Sequence, residues 1–229
     1  MKNNPKNWPE IRIRFREIAA LEELREWLDP LLNHSEDWPP VESLNHLVRA
    51  RSAAFPWQFV KQETVPRRAK TRGSASLSGY LQLILDEKKI PIREFALHDI
   101  LNAVSFMMFP LSKAALNARH RTESPHGLRP GQNRTRTQDL LTIFDEGGVV
   151  RLISARGGQC DVIFGHAVYE HIIEGKGLRA ARLDLAVGDE IIGKTRQELL
   201  VLADKELSRW LMDPGNCRSA HEFSSLEFR

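Results

Sequence analysis

The stretch ALHDILNAVSFMMFPLSKAALNARH, residues 96–120, carries the reading on which the fold turns. It divides into two consecutive helices. The first, Ala96 to Met108, is strongly apolar. The second opens at Pro110 and runs to His120, because proline fits the first turn of a helix, where its missing N–H had no partner to lose. The apolar run from Ala103 to Leu111 is interrupted by Ser105 and Pro110 and is about half the length that a membrane-spanning helix needs. It therefore predicts a buried core and no membrane partner. Polar groups flank this run. His98 and Asn102 stand four apart and share a helix face, with Asp99 beside them, and Lys113, Asn117 and His120 share a face of the second helix. A polar side chain held against a core must find partners, so these residues predict a common polar pocket where helices meet.

Working outward, apolar residues at helical spacing (Ile18, Leu21, Leu24, Leu28, Leu31) predict a helix over Pro9–Leu32, ended or kinked at Asp29-Pro30. Val41–Ala50 reads as a short helix, Phe55–Arg72 as irregular and basic, and Ser74–Lys89 as an amphipathic helix. Arg121–Asn133, with Pro125, Gly127, Pro130 and Gly131, reads as a long loop. Thr135–Phe144 is helical up to the Gly147-Gly148 pair. Val149–Ser154 and Leu178–Val187 alternate as strands. Val162–Glu174 and Thr195–Met212 read as helices, the former closed by Gly175. The tail from about Asp213 reads as irregular. The sum is an α+β fold: a helix-dominated single domain spanning 1–229 with a small β-sheet.

Composition narrows the class. In 229 residues, 41% apolar and 28% charged content is that of a globular domain, and it excludes disordered, collagenous and disulfide-scaffold chains. Two cysteines, Cys160 and Cys217, fit a reduced cytoplasm, and residues 1–9 contain no apolar stretch of the kind found in a signal peptide. The net charge of +3 conceals two basic segments. Lys61–Arg72 sets five cations against Glu63, and Arg119–Arg136 sets five arginines against Glu123. Such segments attract phosphate-bearing ligands or nucleic acid.

The second half holds further groups. Arg136 and Asp139 stand three apart on one helix, Asp145 and Glu146 precede the glycine pair, and His166 and Glu170 stand four apart. No P-loop, Gly-x-Gly-x-x-Gly, His-Glu-x-x-His or Gly-x-Ser-x-Gly motif is present.

Residues 98–103 (HDILNA), 109–120 (FPLSKAALNARH), 134–136 with Asp139, 142–146 (TIFDE) and 164–167 (FGHA) with Glu170 together resemble a bacterial family of unknown function, the domain of unknown function numbered three thousand and twenty-five. The resemblance implies that His98, Asp99, Asn102, Lys113, Asn117, Arg119, His120, Arg136, Asp139, Asp145, Glu146 and His166 belong to the family's pattern. It implies no activity. The chain departs from that pattern in carrying Gln138 before the motif aspartate, Leu97 before the His-Asp pair, and Pro214-Gly215-Asn216 without a following tryptophan.

Two functional readings follow. In the first, an enzyme hydrolyses or transfers a group at a phosphate-bearing substrate, with a divalent metal as a possible cofactor. Asp99, Asp139, Asp145 and His166 are then ligands or acid–base groups. Lys113, Arg119 and Arg136 hold the anion, and His98 or His120 moves the proton, since imidazole titrates near neutrality. His98, Asp99, His120, Asp139 and His166 form the expected catalytic set. Asn102, Lys113, Asn117, Arg119, Arg136, Asp145 and Glu146 form the expected binding set. In the second reading the protein is not an enzyme: either the basic segments bind nucleic acid or the chain is an interaction scaffold, and the polar network only fixes helix packing.

Overall fold

The computed structural model describes residues 8–34, 37–52, 54–62, 75–123, 134–189 and 191–228. Two helices, α1 (Trp8–Glu17) and α2 (Glu22–His34), are joined by a 3-10 turn. Then come α3 (Val41–Arg51), strand β1 (Gln58–Lys61), α4 (Ala75–Leu85) and β2 (Lys89–Ile92). Three helices form the middle of the chain: α5 (Leu97–Met108), α6 (Pro110–Thr122) and α7 (Arg136–Gly147). Strands β3 (Gly148–Ile153) and β4 (Gln159–Ile163), α8 (His166–Glu174), β5 (Leu178–Ala186), α9 (Arg196–Met212) and β6 (Ser224–Phe228) follow. The fold is α+β and dominated by helices, as the sequence predicts.

The four-stranded sheet has the order β4-β3-β5-β6. Its centre is β3, antiparallel to β4 (Val150 opposite Val162) and parallel to β5 (Val150 opposite Leu183). β6 lies antiparallel to β5. A parallel pair, β1 and β2, stands apart with α4 between its strands in sequence. One continuous apolar core runs from Trp8 to Cys217, and Val149, Val150 and Leu152 of β3 are fully buried in it. Phe144 stacks on Phe164 with ring centroids 5.4 Å apart.

Local chemistry explains the helix ends around the later site. Pro110 opens α6, and Asp204 of α9 accepts from the freed amides of Leu111 (3.1 Å) and Ser112 (2.7 Å). A carboxylate there satisfies orphan donors and faces the positive end of the helix dipole. Thr135 and Gln138 form a reciprocal capping box at the start of α7. Gln138 Nε2 also donates to the His120 carbonyl at 2.9 Å, which ties the last turn of α6 to the first turn of α7. This is the position where the family resemblance leads one to expect arginine.

Several expectations need correction. The stretch expected to be irregular from Phe55 contains β1, whose four residues form a strand only by pairing with β2. The helix expected from Val162 begins at His166, because Val162 and Ile163 complete β4. Pro30 does not end α2, which continues to His34. The tail expected to be irregular from about 213 ends in β6, stabilised by its ladder with β5. In the loop expected over 121–133, α6 extends to Thr122, and residues 124–133 lie outside the described set, as does most of the first basic segment.

Candidate functional site

Two glycines bring the site together. Gly165 N donates to the Gly148 carbonyl at 2.9 Å, and a Cβ on Gly165 would stand 2.4 Å from Gly148 N and 2.5 Å from the Glu146 carbonyl oxygen. Only glycine permits that approach. The end of α7 is thereby pressed against the start of α8, and Glu146 meets His166. α5 supplies the third group, packing on α8 with the Ser105 hydroxyl donating to the Phe164 carbonyl at 3.0 Å.

The result is a compact cluster. His98 Nε2 and His166 Nε2 are 3.1 Å apart. Glu146 Oε2 lies 3.4 Å from His166 Nε2 and 4.0 Å from His98 Nε2. His98 Nδ1 donates to Glu170 Oε2 at 2.9 Å, so its remaining nitrogen, Nε2, is aimed at His166. His166 is only 2% exposed. Its burial, with the nearby Lys113 ammonium, pushes its pKa down to about 3, so it is a neutral imidazole. His98 moves the other way: its hydrogen bond to Glu170 raises it, as do the charges of Glu146 and Glu170, against the opposing effect of burial. Burial also raises Glu146.

Behind this cluster lies a buried cation. Lys113 is fully buried, and its Nζ donates to Asp145 Oδ1 at 2.6 Å and Asn102 Oδ1 at 3.0 Å while resting over the rings of Phe106 and Phe164. Burial alone would raise Asp145, but the Lys113 ammonium leads the effects that outweigh it and hold the carboxyl below its ordinary range. Lys113 is thus the counter-ion of Asp145. It does not face a ligand.

In front of the cluster lies a cavity of about 410 Å³, whose walls include His98, Asp99, Asn102, Asn117, His120, Asp145, Glu146 and His166. Eight of the twelve expected residues therefore share one hollow. The other four stand elsewhere: Lys113 behind it as described, and Arg119, Arg136 and Asp139 as follows. Arg119 is spent on the tail, donating to the carbonyls of Asp213, Pro214 and Asn216 and pairing with Glu123. Arg136 and Asp139 are exposed on the first turn of α7. Asp99 reaches the wall but is clamped by Arg93, which meets it through its backbone N, Nε and a terminal nitrogen at 2.6–2.8 Å. Of the four residues expected as ligands or acid–base groups, only His166 belongs to the compact cluster. Among the described residues the set able to share one ion is His98, Glu146 and His166, whose ligand atoms all lie within 4.8 Å of one another.

Sequence reasoning missed Tyr80 and Arg93 in the wall, and it placed Arg134 and Thr142 in the family pattern without expecting them in the site; all four line the cavity. Tyr80 is raised by burial and by the charge of Asp145, and its hydroxyl lies against Asn102. Glu170 was visible only as the partner of His166 one turn away, yet it reaches across to His98. The shared helical face of His166 and Glu170 was the signal, since both must look toward α5. A larger cavity of about 830 Å³ lies between α2, α9 and β6 and holds none of the expected residues. There the Glu23 carboxylate is bound by the Tyr169 hydroxyl and Arg196.

Residues 57–161 match the family model described as a protein of unknown function, DUF3025. This is the family that the sequence resembles. The DUF3025 match covers α5, α6 and α7, and so His98 and Glu146, while His166 and Glu170 lie just beyond it. Neither the curated proteins nor the solved structures give a match. Among the described residues no helix is long and apolar enough to cross a membrane.

Proposed function

We propose that this protein is a metal-dependent hydrolase acting on a phosphate-bearing substrate, with one divalent ion held by His98 Nε2, His166 Nε2 and the Glu146 carboxylate. The observation that carries this reading is the 3.1 Å separation of two imidazole nitrogens aimed at each other. Nitrogens bonded to one ion at roughly 2.0–2.1 Å stand about 3.0–3.4 Å apart, depending on the ligand angle. The Glu146 oxygen at 3.4 and 4.0 Å is close to that spacing as well. An ion would take the place of the contact that the two nitrogens make with each other.

The surroundings support the same reading. Glu170 holds the far nitrogen of His98, which fixes the ring and strengthens it as a donor, as carboxylates do behind metal-bound histidines. The neutral state of His166 leaves its lone pair free. Two imidazoles and a carboxylate suit zinc, iron(II), manganese or nickel, and three protein ligands leave room for water and substrate. An ion held there would supply water of lowered pKa as the nucleophile. Arg134 in the cavity wall supplies positive charge for a phosphate, whereas Arg93 is neutralised by Asp99. We assign the cytoplasm as the compartment, because Cys160 and Cys217 are both unpaired thiols.

The test is calorimetric titration of the EDTA-treated protein with zinc, manganese and cobalt(II), alongside His98→Ala, His166→Ala and Glu146→Gln, followed by assay of the loaded protein on a panel of phosphate esters. One ion per chain, lost in each variant, together with turnover that requires the ion, is the expected result. Failure to bind any of these ions would remove the reading.

A further inference from the structure

The wall of the cavity formed by α6 holds a group that the metal cluster does not use. His120 is 5% exposed and lines the cavity, and among the described residues its ring has no hydrogen-bond partner: Nδ1 is shielded from solvent, and the other edge of the ring is left for a ligand. His120 is not among the three residues able to share the ion, and it follows Lys113 by seven residues on α6, about 10 Å along a helix axis rising 1.5 Å per residue.

Beside it stands a cation with capacity to spare. Arg134 also lines the cavity and donates through one terminal nitrogen to the Thr142 hydroxyl at 3.2 Å. A guanidinium offers five donors, so most of the fork is unclaimed among the described residues. Thr142 in turn donates to the Gln138 carbonyl at 2.8 Å, and Gln138 fixes the His120 backbone, so the three groups belong to one braced corner between α6 and α7.

We propose that His120 and Arg134, with Thr142 bracing the arginine, form an anion subsite that grips the substrate's phosphate as a handle, so that the bond cleaved at the metal cluster lies in another part of the substrate. This deepens the hydrolase reading and rests on it for the reacting end only. The imidazole donates one hydrogen bond to a phosphate oxygen and the guanidinium donates two, the geometry arginine offers to planar and tetrahedral oxyanions. Burial pushes His120 down to about 4, with Arg134 lowering it further, so the ring meets the anion as a neutral donor near neutral pH. A cavity of about 410 Å³ falls in the range that holds a small ligand from end to end. The substrate class is therefore a small phosphorylated molecule carrying a hydrolysable bond several atoms away from its phosphate.

The experiment uses inorganic phosphate as the probe, titrated into the EDTA-treated full chain and into the zinc-loaded chain. Phosphate binding without metal, weakened roughly tenfold or more by His120→Gln and by Arg134→Gln and retained by Glu146→Gln, is the expected result. Zinc affinity should be unchanged in the His120 and Arg134 variants, which separates the handle from the ion site. Arg134→Gln changes a half-buried side chain on the rim, so it keeps the test valid if His120→Gln fails to fold. Phosphate that binds only to the zinc-loaded chain, with both variants behaving as wild type, would overturn the handle and leave the metal reading intact. Absence of phosphate binding in either form would overturn it as well.

Discussion

Glu170 and His98, separated by 72 positions in sequence, share a hydrogen bond of 2.9 Å that leaves the other imidazole nitrogen facing His166. Glu170 is not itself a ligand in the proposed centre, but it sets which nitrogen of His98 is available. Replacing it by glutamine keeps an acceptor oxygen and removes the charge. Zinc affinity should fall about 10–100-fold in Glu170→Gln while the folded structure survives, as for other carboxylates standing behind a metal-bound histidine. Calorimetric titration measures this directly. An unchanged affinity would mean that the contact only positions the helices.

Gly165 has no room for a side chain. A Cβ there meets backbone atoms of Gly148 and Glu146 at 2.4 and 2.5 Å, and backbone cannot swing aside as a side chain can. Gly165→Ala should therefore destabilise the protein by several kcal/mol, in the range reserved for strain and overpacking, roughly 1–3 kcal/mol or more. Whatever folded protein remains should bind metal poorly, because relief of the clash moves Glu146 away from His166. Urea denaturation together with zinc titration tests both halves of this statement. Gly79, where a Cβ meets nothing within 4 Å, is the control position.

These two relationships show what could be read from the chain and what could not. Helices α5 and α6 were legible because their signals are local: an apolar run, then Pro110 in a first turn. The strands β1, β4 and β6 were not, because each is four or five residues long and takes its conformation from a partner strand. The candidate site follows the same division. His98, Glu146 and His166 were all singled out as polar residues near apolar segments, but their convergence depends on Gly148 meeting Gly165 and on α5 lying across α8. Neither contact leaves a trace in residue spacing. Arg119 shows the converse. It looked like an anion binder by residue type, yet its guanidinium is occupied by three tail carbonyls contributed by residues more than ninety positions away. Arg93 and Tyr80 were passed over because they lie outside the polar half, on elements brought in only by the parallel β1-β2 pairing and by α4.

The pair of buried Lys113 and half-buried Asp145 gives a prediction about stability rather than activity. Lys113→Met removes the cation and leaves Asp145 without its main counter-charge, a loss of about 3–5 kcal/mol for buried pairs broken on one side. Converting the partner as well, in Lys113→Met with Asp145→Leu, removes the stranded charge and should recover much of that loss. Denaturant titration of the two single variants and the double variant gives the coupling energy. Equal stability of the single and double variants would mean that Asp145 finds another partner once Lys113 is gone. The activity of the double variant should still be low, since Asp145 stands in the cavity wall beside Glu146.

Acid should weaken the fold in a window set by His120. Burial, opposed by Asp145 and assisted by Arg134, lowers its pKa from 6.5 to about 4. As pH falls below 6.5 the unfolded chain takes up this proton and the folded chain does not, so the unfolded state binds more protons and stability drops. The contribution is complete above pH 6.5 and declines until about pH 4, a total on the order of 3 kcal/mol. His166, lowered to about 3 by burial and Lys113, acts in the same direction. His98 acts in the opposite direction: its pKa is raised by Glu170, so its contribution is present below 6.5 and fades as pH rises through the higher folded value. Because these effects overlap, the useful quantity is the difference between wild type and His120→Gln. Urea denaturation of the EDTA-treated proteins at pH 7, 6, 5 and 4.5 should show wild type losing about 2–3 kcal/mol relative to the variant across that range. A difference that stays constant with pH would show that folding leaves the titration of His120 unshifted, so that the ring does not sit in the dry wall position that the anion subsite requires.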